Sequence, residues 1–210
     1  HDLVRRRVPL LAKALALVGH TQTRNRGTIG GSLANADPAA EICLTACTLD
    51  ATMTAQSLSV ARTIPAAAFF ESAMTTALSP EDCLTQAAFP VWQGMRIGTG
   101  FQEVSARKSD FALAAAAVQL TLDKNGVCSR IALGIGGIED KPVRAAAAEK
   151  RLTGTKLEDS DIAAALATLD EQLSPRSDLY ASADYRRRVA LGMAQRAVAQ
   201  AKADALKAAA

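Results

Sequence analysis

The residues of this chain best suited to hold a ligand lie between positions 24 and 41. The run RNRGTIGGSLANADPAAE contains three glycines and the side chains of Thr28, Ser32 and Asn35, which can donate and accept hydrogen bonds. Glycine lets a backbone approach a ligand closely and adopt a positive φ, and exposed N–H groups form a concave site for an anion such as phosphate. The run matches neither the Rossmann nor the Walker glycine pattern, so the residues alone leave two interpretations open: an anion-binding loop, or a tight turn between two elements.

A helix is predicted on each side of this run. Residues 3–18 carry an apolar stripe, and Pro9 is expected to break or kink the helix that they form. Asp37 is expected to cap a helix over residues 38–49, because Asp is a favoured N-cap and Pro38 suits the first helical turn. The glycines would then lie in the loop between the two helices.

Strands are predicted in the middle of the chain. Apolar residues alternate over residues 51–64, which indicates a hairpin. The apolar runs 111–123 and 127–138 flank Asn125-Gly126, and an Asn-Gly turn between two such runs is a strong hairpin signal. Both runs are rich in alanine, so a helix over residues 111–120 is the alternative on propensity alone.

Single strands and helices complete the prediction. Strands are expected over residues 83–89 and 97–105, and a short helix or turn over 64–74. The last third of the chain is expected to be helical, over residues 142–152, 157–173 and 183–207.

Composition restricts the class of protein. The chain has 210 residues, with 49% apolar residues, 21% charged residues and a net charge of +3, so nucleic acid is not expected as a partner. No apolar stretch is long enough for a membrane span, and the start at His1 suggests a processed or truncated product. The four cysteines are interpreted as buried free thiols in a reducing cytoplasm rather than metal ligands, because the chain has only two histidines.

The run at 24–41 resembles the second flavin-binding motif of the FAD-carrying medium subunits of molybdenum hydroxylases. This family includes the medium subunit of aerobic carbon monoxide dehydrogenase and the FAD domain of xanthine dehydrogenase. The resemblance continues along the chain in the same order through four further segments: Gly100-Phe101-Gln102, Ser109-Asp110-Phe111-Ala112, Gly134-Ile135-Gly136-Gly137 and Ala183-Asp184-Tyr185-Arg186-Arg187.

The resemblance implies an α+β fold in two parts. Residues 1–93 would form the second subdomain of a two-subdomain FAD-binding module. Residues 97–210 would form the C-terminal domain, with a small antiparallel sheet and a helical bundle. Relatives carry a first subdomain with another Gly-Gly loop, and the resemblance implies that this chain lacks it.

The same resemblance implies a set of cofactor-binding residues and no catalytic or metal-binding residue in this chain. The backbone and hydroxyl groups from Thr28 to Ser32 would face the FAD pyrophosphate, and Glu41 its adenosine end. Phe111 would shield one face of the isoalloxazine, with ordinary strand core as the alternative for this ring. The full set is Thr28, Ile29, Gly30, Gly31, Ser32, Asn35, Glu41, Phe111 and Gln102.

The implied function is that of an oxidoreductase subunit that does not itself hydroxylate the substrate. FAD on this subunit would receive electrons from [2Fe–2S] clusters on a small iron–sulfur subunit and pass them to an external acceptor. A large subunit with the molybdopterin cofactor would transform the substrate, in a cytoplasmic dimer of heterotrimers. The alternative is a flavin-free docking or assembly fragment of such a complex.

Overall fold

The computed structural model describes residues 1–94, 96–107 and 109–208. The helices are α1 (Asp2–Arg7), α2 (Pro9–Leu15), α3 (Thr21–Arg26), α4 (Ile29–Asn35), α5 (Glu41–Thr48), α6 (Ala66–Phe69), α7 (Ala146–Leu152), α8 (Asp159–Gln172) and α9 (Ala183–Lys207). The strands are β1 (Thr52–Gln56), β2 (Ala61–Pro65), β3 (Phe70–Ser72), β4 (Thr75–Thr76), β5 (Cys83–Ala88), β6 (Ile97–Ser105), β7 (Ala112–Leu122), β8 (Cys128–Gly136) and β9 (Val143–Arg144).

The second half of the chain is built on an antiparallel sheet with strand order β6-β7-β8-β9. The Asn-Gly turn joins β7 to β8, with Gly126 at a φ of 77°. Helix α9 covers one face of the sheet, and α2 and α5 cover the other. Because both faces are covered, β7 is a nearly continuous run of buried apolar residues. The predicted hairpin is confirmed, and the helical alternative over residues 111–120 is wrong.

Helix α9 lies against β6 at backbone contact. A Cβ on Gly98 would come within 2.0 Å of the Ala201 carbonyl oxygen, and a Cβ on Gly100 within 1.9 Å of the Ala197 carbonyl oxygen. Any side chain at these two positions would therefore push the helix off the sheet. The side chains of α9 that face β6 include small alanines, so the helix backbone can also approach the strand closely.

Polar side chains bind the free edge of β6. The Asp204 carboxylate accepts hydrogen bonds from the backbone N–H of Thr99 at 2.9 Å and from its hydroxyl at 3.0 Å. Gln200 Oε1 accepts from the Phe101 N–H at 2.8 Å, and Lys13 Nζ donates to the Thr99 carbonyl at 2.6 Å. Three backbone groups on this edge, the N–H and carbonyl of Thr99 and the N–H of Phe101, are thus paired within the chain rather than left open to another strand.

The first half of the chain has its own apolar core. Strands β2, β1 and β5 form a three-stranded antiparallel sheet in that order, as the hairpin and strand predictions required. Met53 from this sheet packs with Leu33 of α4, with Cys43 of α5 and with the rings of Phe69 and Phe70, which meet edge to face.

A third apolar cluster joins the two halves. Leu10 of α2 and Leu44 of α5 pack in it with Phe101 and Ala117 of the large sheet. Trp92 is also buried there, and the Arg130 guanidinium lies 3.8 Å from the centre of its ring. The division into residues 1–93 and 97–210 stays a prediction, and Met95, between the two parts, lies outside the described residues.

Two predicted helices begin later than expected. Helix α5 begins at Glu41 rather than at residue 38, because the Asp37 carboxylate accepts the Ala39 N–H at 2.8 Å and closes a turn there. Helix α7 begins at Ala146 rather than at residue 142, because residues 143–144 pair with β8. The predicted break at Pro9 is confirmed, since α1 ends at Arg7 and α2 begins at Pro9.

Replacing Gly100 with alanine should destabilise the fold by about 3 kcal/mol or more, because the new methyl group would overlap the α9 backbone. The matched control is Gly192→Ala on α9 itself, where a Cβ meets nothing within 4 Å. That variant should raise the free energy of unfolding by about 0.5–1 kcal/mol through helix propensity. Urea denaturation measures both, and equal stability of the two variants would contradict the close packing.

Candidate functional site

A cavity of about 990 Å³ opens where the two halves of the chain meet. Helix α4 and the turn before α5 line it from the first half. The start of β7 and the loop between α8 and α9 line it from the second half. Its volume is at the upper end of the range of about 300–1,000 Å³ for small-molecule sites.

The glycine-rich run forms the start of a helix in this wall. The Thr28 hydroxyl accepts the Gly31 N–H at 2.9 Å and caps α4. Gly30 and Gly31 lie inside α4 and neither has a positive φ, so the prediction that they lie in a loop is wrong, whereas Gly27 does lie between two helices. A Cβ on Gly30 would meet nothing within 4 Å, whereas one on Gly31 would lie 3.0 Å from Thr28 Oγ1. Packing within the fold therefore does not explain the glycine at position 30.

The turn before α5 connects this wall to the large sheet. The Ala40 N–H donates to the Asp37 carbonyl at 3.0 Å, and the Gly137 N–H donates to the Pro38 carbonyl at 2.8 Å. Glu41 follows in the first turn of α5 and lines the cavity.

Phe111 stands on the wall formed by the second half. Its side chain is 71% exposed, one residue before β7 begins. Ser109, with a φ of 71°, turns the chain just before it. The alternative interpretation of Phe111 as strand core is therefore wrong, and the ring is free to contact a ligand.

The cavity gathers seven of the nine predicted binding residues: Thr28, Ile29, Gly31, Ser32, Asn35, Glu41 and Phe111. Gly30 lines an adjacent cavity of about 380 Å³ together with Leu84. Gln102 lines neither cavity, and its amide donates to Gln200 Oε1 at 3.1 Å. The binding roles of these residues stay predictions.

Sequence reasoning missed the loop between α8 and α9. Arg176, Asp178 and Tyr180 of this loop line the cavity, as does Arg186 from the second turn of α9. The loop has no glycine pattern or hydrophobic period that would mark it as a binding segment. The run of arginines at 186–188 is the one sequence signal close to this loop.

Two carboxyl groups near the cavity are partly desolvated. Burial raises the pKa of Glu41, its backbone hydrogen bond opposes this, and the Asp37 carboxylate adds to the rise. Burial raises the pKa of Glu103, on β6, to about 7, with a further contribution from Glu41. Within the described residues, Glu103 Oε2 is buried without a hydrogen-bond partner. A carboxyl in this state carries a proton about half of the time at neutral pH.

The cysteines are free thiols, and three of them are buried, as predicted. Cys83 is exposed, contrary to the prediction, because it begins β5 at the surface. Burial raises the pKa of Cys43, and it raises that of Cys47 to about 12, so these groups remain protonated thiols. In the part of the chain that the structure describes, no cluster of side chains could hold a metal ion. No helix in that part is long and apolar enough to cross a membrane.

Comparison with known proteins identifies the family. Residues 1–92 match the FAD binding domain in molybdopterin dehydrogenase, and residues 99–201 match the CO dehydrogenase flavoprotein C-terminal domain. The carbon monoxide dehydrogenase medium chain of Afipia carboxidovorans is 32% identical over 97% of this chain and 70% of its own length. The chain belongs to the FAD-binding medium subunits of the molybdenum hydroxylases.

Other relatives of this medium subunit carry different names. It is 37% identical to the glyceraldehyde dehydrogenase medium chain of Sulfolobus acidocaldarius, over 90% of this chain and 66% of the relative. It is 38% identical to the 6-hydroxypseudooxynicotine dehydrogenase complex subunit alpha of Paenarthrobacter nicotinovorans, over 92% and 65%. The chain therefore spans about two thirds of the length of these curated relatives.

Solved structures agree with the fold of this medium subunit. Quinoline 2-oxidoreductase from Pseudomonas putida superposes with a TM-score of 0.90 at 35% identity, covering 97% of this chain and 70% of the other. Carbon monoxide dehydrogenase from Hydrogenophaga pseudoflava superposes with a TM-score of 0.92 at 29% identity, with the same coverage. The α+β prediction and the resemblance stated from the sequence are both confirmed.

Glu103 should make the stability of this subunit depend on pH. Folding raises its pKa from 4.5 to about 7, so the folded chain binds more protons than the unfolded chain between these values. The stabilisation is complete below about pH 4.5 and is lost as the pH rises through 7. Glu103→Gln should flatten this decline and exceed the wild type in stability at pH 8, on the order of 1 kcal/mol.

The measurement is urea denaturation of both proteins between pH 5 and pH 8. Glu171→Gln, at an exposed position on α8, controls for the loss of one negative charge. An unchanged pH slope in Glu103→Gln would show that another group is responsible.

Proposed function

We propose that this chain is the FAD-carrying electron-transfer subunit of a molybdenum hydroxylase complex. Its partners would be a small subunit with [2Fe–2S] clusters, which delivers electrons, and a large subunit with the molybdopterin cofactor, which transforms the organic substrate. The complex would be a dimer of such heterotrimers in the cytoplasm, and the electrons would leave to an external acceptor.

The observation that carries the proposal is the exposed ring of Phe111 at the large cavity. A phenyl group that is 71% exposed leaves much of its apolar surface in water, and a flat aromatic ligand against it would remove that surface from water. Gly30 faces the adjacent cavity of about 380 Å³, where a ligand extending from the large cavity could approach its backbone without displacing any protein atom.

The chemistry of the lining residues fits FAD. Thr28, Ser32 and Asn35 offer hydrogen-bonding side chains at the cavity. Arg26 lines the same cavity, is exposed, and brings a positive charge that a pyrophosphate would favour. When bound, FAD would supply the redox chemistry, since it can accept electrons from the iron–sulfur subunit and pass them to the external acceptor.

The residues of this chain would bind and orient rather than react. Thr28 to Ser32 would hold the pyrophosphate, Asn35 would add a polar contact, and Glu41 would lie near the adenosine end. Phe111 would cover one face of the isoalloxazine and exclude water there. A subunit with these roles needs no nucleophile or general base, and the substrate would be chosen elsewhere in the complex.

Replacing Gly31 with aspartate should abolish FAD binding, because a carboxylate would stand beside the pyrophosphate position. Gly31→Asn is the matched control, since it has the same size and the same contact with Thr28 Oγ1 but no charge. We expect Gly31→Asp to lose at least about 100-fold in affinity, Gly31→Asn to lose much less, and both to unfold at the same urea concentration. Equal FAD binding by the two variants would refute the assignment of this segment to the pyrophosphate.

The visible spectrum of the chain purified with its natural partner subunits tests the wider proposal. Oxidised-flavin bands that bleach when the organic substrate is added anaerobically, with about one FAD released by acid per chain, are the expected result. A colourless chain in an intact complex would instead assign it the role of a docking or assembly component. A yellow chain whose bands do not bleach would exclude electron transfer from the molybdenum subunit.

A further inference from the structure

Arg186 is a buried cation that the proposed electron transfer does not use. It lies in the second turn of α9, and its side chain is only 3% exposed. Burying a guanidinium is costly, and here Nε is buried without a hydrogen-bond partner among the described residues. Well-packed apolar residues often serve stability as well or better. Stability alone does not account for an arginine at this position, and its hydrogen bonds indicate a further role.

One end of the guanidinium binds two backbone carbonyls. Its Nη1 donates to the Leu113 carbonyl at 2.7 Å and to the Gly137 carbonyl at 2.8 Å. Leu113 is the residue that the β6–β7 register skips, since Ser105 pairs with Ala112 and Val104 with Ala114. The arginine thus holds a bulged strand end, two residues beyond Phe111.

The other bound residue, Gly137, leads to the opposite wall of the cavity. Its N–H donates to the Pro38 carbonyl at 2.8 Å, in the turn that precedes Glu41. Its φ is 79°, and a Cβ there would lie 2.8 Å from the Ala112 carbonyl oxygen. Gly137 is therefore bound on both sides, since its N–H donates to Pro38 and its carbonyl accepts from Arg186.

The other terminal nitrogen of the guanidinium fixes the loop between α8 and α9, which forms the rim of the cavity. Nη2 donates to Asp178 Oδ2 at 2.6 Å, and this hydrogen bond lowers the pKa of Asp178 to about 2. Asp178 Oδ1 accepts the N–H groups of Tyr180 and Ala181 at 2.9 and 3.0 Å. The same side chain thus connects the rim loop, the start of β7 and the end of β8.

We infer that Arg186 is a positioning residue that sets the gap between Phe111 on one wall of the cavity and the Pro38–Glu41 turn on the other. The consequence for ligand binding rests on the proposed function, since it concerns how well this gap fits FAD. Lysine cannot replace the arginine fully, because an ammonium group lacks the planar fork that reaches two carbonyls and a carboxylate at once.

The chain contains a control one residue away that binds similar acceptors, although its side chain is 37% exposed rather than 3%. Arg187 donates from Nη1 to the carbonyl and the carboxylate of Asp170, and from Nη2 to the Leu173 carbonyl at 2.8 Å. It therefore binds the same kinds of acceptor as Arg186, but at the end of α8, and it does not line the cavity. Arg187→Lys therefore shows the effect of losing such hydrogen bonds at a position that is away from the cavity.

Hydrogen–deuterium exchange of the full chain tests the positioning role without any ligand. Arg186→Lys should accelerate exchange in peptides covering residues 109–114 and 134–140, whereas Arg187→Lys should accelerate it only near the end of α8. Asp178→Asn, which keeps the shape of the acceptor, should give a smaller change in the same peptides as Arg186→Lys and serves if the lysine variant does not fold. Unchanged exchange in both Arg186→Lys and Asp178→Asn would overturn the inference.

FAD titration then tests the consequence for binding. Arg186→Lys should weaken FAD binding about tenfold more than Arg187→Lys, and most of that loss should disappear in a Phe111→Ala background. Equal losses in the two lysine variants, or full additivity with Phe111→Ala, would show that Arg186 only stabilises the fold. Absence of FAD from the wild type purified with its partner subunits would refute the proposed function, while the exchange experiment would still decide the positioning role.

Discussion

The contact between α9 and β6 is the constraint on which the rest of the second half depends. Gly98 and Gly100 have no side chain, so the helix backbone rests directly on the strand. Dispersion forces act over atomic contact distances, and a surface of glycine and alanine brings many backbone atoms within that range. The long helix is thereby fixed against the sheet without a large side chain between them.

This contact also places the polar residues of α9 where they act. The C-terminal half of the helix brings Gln200 and Asp204 to the edge of β6. Its N-terminal turns bring Arg186 to the ends of β7 and β8, where the cavity opens. A helix displaced by one side-chain diameter would lose both sets of hydrogen bonds, because their strength falls steeply with distance and angle. Packing at one end thus supports the cavity at the other.

The cavity lies at the interface between the two halves of the chain. The third apolar cluster fills only part of this interface, and the remainder is open. Leu44 and Phe101 fill the deeper part of the interface, whereas polar groups such as Thr28, Glu41 and Arg186 line the open part. Burial there removes water from the carboxyl groups and disfavours their charged form. The pKa values of Glu41 and Glu103 are therefore raised. A ligand that donated hydrogen bonds to these carboxyl groups would lower this cost.

The sequence by itself determined the secondary structure of most of the chain, the free thiols and the family. The Asn-Gly turn, the Pro9 break and the long pattern of α9 are local signals, and local backbone preferences decide such features. The N-cap role of Thr28 is a local signal of the same kind, but two adjacent glycines disfavour a helix and so favour a loop on propensity.

Tertiary structure alone decided which distant residues share the cavity. Phe111 could have been strand core, but it lies one residue before β7 begins, and only the tertiary structure places it at the cavity that α4 also lines. Gln102 turned toward α9, because the alternation of β6 puts it on the face of Gly98 and Gly100. Arg186 lies 73 residues from Leu113 and 49 from Gly137 in the chain. Spacing over such distances carries no information about contact, because packing of the whole chain determines it.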